Sequence, residues 1–104
     1  MDWTTDENKR FIEAILALAT RDEARRFLRD LMTEKEIEEF ANRLETALLL
    51  SEKISYTKIM AKTGLSSTTV ARVSKWLNKG EGGYKDILAK LHHGSSVPSG
   101  SGLS

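Results

Sequence analysis

The chain has 104 residues, of which 39% are hydrophobic and 30% charged, with 16 Lys/Arg against 15 Asp/Glu. A chain of that length is expected to form one domain with a modest core, and its balance of residues suits a folded globular protein, not a disordered one. With no cysteine it has no disulfide and no thiolate metal site, and no apolar run approaches the roughly 18 residues of a membrane span.

The opening MDWTTDENKR is acidic and polar, unlike a signal peptide, so a cytoplasmic location is expected. Thr4 and Glu7 have capping-box spacing and predict a helix over 4–19, with Phe11, Ile12, Ile15, Leu16, Leu18 and Ala19 along one stripe. Trp3, just before it, staples the helix start or packs on a partner chain. Thr20 and Glu23 repeat the spacing and open a second helix after almost no loop. Its apolar face is Ala24, Phe27, Leu28 and Leu31. Arg21, Arg25, Arg26 and Arg29 share the other side with Asp22 and Asp30, the pattern of a solvated face.

Thr33 and Glu36 give a third capping box and open the longest helix, about 34–51. Ile37, Phe40, Ala41, Leu44, Ala47 and Leu48 form its stripe, which Leu49 and Leu50 widen. A helix apolar over most of its circumference is buried on several sides. In so small a chain this points to a second subunit.

Residues 55–80 read as two helices joined by a tight turn. Ser55 can cap the first, Gly64 can end it in a left-handed conformation, Ser66 can cap the second and Gly80 can end that. Ile59, Met60, Leu65, Val70, Val73 and Leu77 can share one core, with Met60 where many such motifs carry alanine. The opposite face of the second helix holds Ser67, Thr68, Ala71, Arg72, Lys75 and Lys79: hydroxyls near the start, cations further on. Small hydroxyls suit close approach to base edges and phosphates, and cations suit phosphates, so 55–79 is expected to be a helix-turn-helix that enters the DNA major groove. Charge agrees. Residues 1–52 hold 8 Lys/Arg and 13 Asp/Glu, whereas 53–80 hold 6 Lys/Arg and no acid. A basic stripe confined to the motif is the footprint of a polyanion site.

After the Glu81-Gly82-Gly83 break, Tyr84, Ile87, Leu88 and Leu91 predict a last helix, about 84–91. The domain is expected to span 1–93, followed by a Gly/Ser-rich tail over 94–104. His92 and His93 are adjacent and lack acids or thiols at ligand spacing, so no metal site is expected. No thiol, no histidine constellation and no Gly-rich phosphate loop is present, so no enzymatic activity is expected.

From Leu31 to Leu91 the chain resembles the Trp repressor family, and within it the Trp-repressor-related branch of YerC/YecD type. The likeness rests on Leu-Met-Thr-Glu opening the long helix, Arg43 within FANRLETALLL, Ser55, Gly64-Leu65, Thr69-Val70 with Arg72, and NKGEGGY before the last helix. The resemblance implies an all-α, intertwined homodimer of about six helices per chain, with two reading heads about 34 Å apart and a roughly palindromic operator. It also implies a tryptophan pocket. Thr33, Arg43, Arg72 and Thr69 match the family's pocket, whereas Val73 stands for a glycine and Trp76 for a serine. These two would occupy much of the space a free tryptophan needs, so no cofactor is expected, L-tryptophan included.

By the same resemblance Tyr56, Thr57, Ser67, Thr68, Thr69 and Arg72 stand where family members touch DNA. Lys58, Lys75 and Lys79 join them by charge and helix face, and Ser66 lies at the same edge. The expected function is a sequence-specific transcriptional regulator, a repressor, that binds double-stranded DNA without tryptophan as corepressor. Two alternatives stay open: a dimeric helical protein-interaction module, and a regulator controlled by a different small molecule.

Overall fold

The computed structural model describes the backbone of residues 1–96 and the side chains of residues 1–92. Six helices and no strand are present among the described residues: α1 Asp6–Leu16, α2 Arg21–Leu31, α3 Glu34–Ser51, α4 Tyr56–Thr63, α5 Ser67–Lys79 and α6 Gly83–Ser96. The all-α class is as expected. None of these helices is long and apolar enough to cross a membrane. The chain divides into two compact units, Met1–Ile37 and a second from Glu38 onward.

The first unit is built by side-chain caps. Thr5, not Thr4, starts α1, its hydroxyl accepting from the Asn8 N–H at 3.2 Å. Thr4 is unavailable because its hydroxyl and its N–H both donate to the Asp2 carboxylate, at 2.6 and 2.8 Å. Those two bonds hold the Asp2 carboxyl below the usual carboxylate range. The helix also stops at Leu16, short of the expected 19. The Ala19 N–H is taken by the Glu23 carboxylate at 2.9 Å, which ties Ala19 to the start of α2. Thr20 caps α2 as expected. Thr33 and Glu36 form the full reciprocal box: Glu36 N–H donates to Thr33 Oγ1 at 3.1 Å, and Thr33 N–H to Glu36 Oε1 at 2.9 Å.

Neither α1 nor α2 contains a buried residue. Phe11, Ile12, Ile15 and Leu16 of the α1 stripe stand exposed, as does Leu31 of α2, whose Ala24, Phe27 and Leu28 are half-buried. In α3 only Thr46, Ala47 and Leu49 are buried, and Phe40, Leu44 and Leu48 are exposed. The burial expected on several sides of α3 is therefore not achieved within one chain.

The second unit has a true core. Leu49 of α3, Ile59 of α4 and Val70 of α5 pack together, and Leu50, Ile54, Met60 and Leu65 close around them. Met60 is accommodated, half-buried, where an alanine is more usual. Helix α5 packs on both α4 and α6. The last helix begins one residue earlier and runs five residues further than the expected 84–91, taking in Gly94–Ser96 of the expected tail. The rest of that tail lies outside the described residues.

Candidate nucleic-acid interface

Two helices are set at a fixed angle by the turn between them. Ser55 caps α4 through the Lys58 N–H at 3.3 Å. At the other end Gly64 adopts φ +75°, a conformation glycine takes without strain, and its N–H donates to Met60 O at 2.9 Å. Thr63 reinforces the corner: its buried hydroxyl donates to Ile59 O at 2.8 Å and accepts from Leu65 N–H at 3.2 Å. Leu65 is thereby directed onto the core. Ser66 starts α5, accepting from Thr69 N–H at 3.2 Å and donating to Thr69 Oγ1 at 3.1 Å.

Helix α5 is two-faced. Val70, Val73 and Leu77 are buried on one side. At 100° per residue, Thr68, Arg72, Lys75 and Lys79 project from the opposite arc, and all four are exposed. Ser67 and Ser66 are exposed at its start, and Tyr56, Thr57 and Lys58 are exposed at the start of α4. The candidate contact residues thus reach solvent from the two helix starts and from one ridge of α5; Thr69 alone is half-buried, held by Ser66.

The cations along 53–80 are not equivalent. Lys62 Nζ lies 3.1 Å from Glu45 Oε2 of α3. Lys53, Lys58, Arg72, Lys75 and Lys79 make no ion pair among the described residues. The arginines of α2 behave differently. Arg25 and Arg26 share Asp22 at 2.5 and 2.8 Å, and Arg29 approaches Glu34 at 3.8 Å. These three already have carboxylate neighbours, as on a solvated face.

The residues expected around a tryptophan pocket have the following surroundings. Thr33 belongs to the first unit and is occupied by Glu36. Arg43 bonds Glu39 at 2.7 Å and lies 5.4 Å over the Phe40 ring. Arg72 is exposed and Val73 is fully buried. Trp76 is 41% exposed and borders an open recess of about 530 Å³ with Gly80, Glu81, Gly83 and Tyr84. Sequence reasoning did not place Glu81 or Tyr84 beside Trp76. The signal available was Gly80, which ends α5 and lets the chain double back, so that the start of α6 meets the last turn of α5. Burial raises the Tyr84 phenol above its ordinary value, partly offset by the positive field of Arg43.

The fold and this surface define an all-helical protein built around a helix-turn-helix with a basic outer ridge. The model of the Trp repressor protein family matches residues 6–92, and the chain belongs to that family. It is 39% identical over 85 residues to the uncharacterized protein YerC of Bacillus subtilis, covering 82% of each chain. A TrpR-like protein from Eubacterium eligens superposes with a TM-score of 0.83 at 37% identity, over 86% of this chain and 93% of that one. A Trp repressor candidate from Staphylococcus aureus superposes with 0.82 at 29% identity, over 88% and 95%. The family suggests a helix-turn-helix DNA-binding regulator.

Proposed function

We propose that this protein is a sequence-specific DNA-binding regulator, a cytoplasmic repressor that acts as a homodimer and needs no tryptophan. The observation that carries the reading is the outer ridge of α5. Thr68, Arg72, Lys75 and Lys79 point away from the core, and no acid interrupts 53–80. Thr68 and Ser67 address base edges, and the cations address phosphates. The exposed apolar stripe of α1, with Leu31 of α2 and Phe40, Leu44 and Leu48 of α3, supports the dimer, because an amphipathic helix must bury its stripe against something. Independence from tryptophan is supported by Val73 and Trp76, which put bulk where the family has a glycine and a serine.

Gel-shift and genomic footprinting test the central claim. Binding to a near-palindromic site is expected, lost by about 0.3 M salt. Lys75→Ala should weaken binding on every sequence and flatten the salt dependence, whereas Thr68→Ala should relax discrimination at one base pair. No shift with any duplex, together with a protein partner captured from lysate, would favour the interaction module. Titration calorimetry with L-tryptophan tests the corepressor claim, and micromolar binding would end it. The recess between Trp76 and Tyr84 favours the second reading, control by another small molecule; that reading predicts copurified ligand density there.

A further inference from the structure

The α3–α4 junction places a lysine where the backbone asks for glycine. Lys53 has φ +65°, and among the described residues it is the only non-glycine with positive φ. The junction is a Schellman-type helix end. Ile54 N–H donates to Leu49 O and Lys53 N–H to Leu50 O, both at 3.0 Å. Ile54 then packs on the Leu49–Ile59–Val70 cluster, the apolar contact that accompanies such ends. The left-handed position of this motif is usually glycine or asparagine, since a β-carbon crowds the carbonyl there. Gly64 meets the same demand one helix later, at φ +75°, with glycine.

Three further facts bear on the exception. Lys53 is exposed, makes no ion pair among the described residues, and is the first residue of the acid-free run. It stands two residues before Ser55, so the cap of α4 lies within about 7 Å of its Cα by chain length alone, and Tyr56 within about 11 Å. Tyr56, Thr57 and Lys58 are exposed at that start. In a helix-turn-helix the first helix crosses the phosphate backbone. A lysine, a point charge on a flexible stem, can reach a phosphate from there.

We propose that Lys53 is a phosphate-contact residue, and that its charge is retained at the cost of a strained helix end. Strained backbone of this kind gathers at working sites. The proposal rests on the DNA reading above and adds to it a residue outside both helices of the motif.

The test compares the parent chain with Lys53→Gly and Lys53→Arg, by fluorescence anisotropy on a labelled duplex between about 0.05 and 0.3 M salt and by thermal melting. Removing one phosphate contact should make the slope of log K against log salt shallower by about 0.9 and weaken binding about eightfold at 0.1 M. Relieving the strain should raise the Tm of the same glycine variant by about 5 °C. Lys53→Arg should keep both the parent slope and the parent Tm. A glycine variant with the parent slope, or one that melts lower, overturns the proposal while leaving DNA binding by the parent intact. A parent chain that binds no duplex overturns the DNA reading itself, and this proposal with it.

Discussion

Lys62 of α4 is bonded to Glu45 of α3, with Nζ 3.1 Å from Oε2. The pair joins the first helix of the motif to the long helix and neutralises one of the six cations along 53–80. Lys62 is exposed and Glu45 half-buried, still open to solvent, so the pair contributes about 0–1 kcal/mol to stability. It also decides whether Lys62 counts as a charge toward a nearby polyanion. Glu45→Gln should therefore leave the unfolding midpoint nearly unchanged while tightening DNA binding at low salt. Anisotropy across a salt series checks this; an unaltered slope would mean that Lys62 lies out of reach of the duplex.

Gly64 and Gly80 end their helices for different reasons. At Gly64 the demand is conformational: φ is +75°, and a β-carbon would meet nothing. Gly64→Ala should cost about 1–2 kcal/mol, and Gly64→Asn less, since asparagine tolerates the left-handed region. At Gly80 φ is −87°, outside the left-handed region, and the demand is one of space: a β-carbon would run into the Trp76 carbonyl oxygen. Gly80→Ala should therefore loosen the last turn of α5 and disturb the recess beside Trp76. Urea denaturation measures the first effect, and Trp76 fluorescence reports the second.

The core of the second unit contains one discord. Thr46 is fully buried, and its hydroxyl has no hydrogen-bond partner among the described residues. A buried unsatisfied hydroxyl costs about 1–3 kcal/mol. Thr46→Val keeps the shape and removes that group, so it should raise stability by about 1 kcal/mol. Ile59→Ala, at a position equally buried but fully apolar, should lower it by about 2–5 kcal/mol. Denaturant titrations of the two variants against the parent check both; a destabilised Thr46→Val would show that a second subunit or a water satisfies the hydroxyl.

Tyr84 makes stability depend on alkaline pH. Its folded pKa is raised, chiefly by burial, with Arg43 opposing. The neutral phenol is thus favoured in the folded state, and the unfolded chain ionises first, near the ordinary value of about 10. This stabilisation is fully present below that pH and is lost as pH rises through the folded pKa. Spectrophotometric titration should find Tyr84 ionising later than a free tyrosine. Tyr84→Phe should flatten the fall in stability above about pH 10.

Much of the secondary structure was legible because it is locally encoded. Thr20, Thr33, Ser55 and Ser66 each cap a helix through a bond three residues long, so composition and spacing suffice to place them. Where two local partners compete, spacing alone misleads. Thr4 was the expected first cap, but Asp2 captures it and Thr5 takes the role. The end of α1 was overrun for a similar reason, since the Glu23 carboxylate reaches back to Ala19.

By itself the sequence determined the helix count, the basic ridge of α5 and the absence of acids across the motif, because periodicity and charge order are properties of the chain alone. Only the tertiary structure decided which cation is already paired, that Trp76 and Tyr84 border one recess, and that Lys53 holds a left-handed turn. Each of these depends on groups meeting through space or on a left-handed backbone angle at a residue type, lysine, that does not announce one. The same holds for the exposed apolar residues of α1 to α3: their pattern is written in the chain, but the failure of one chain to cover them appears only once it is folded.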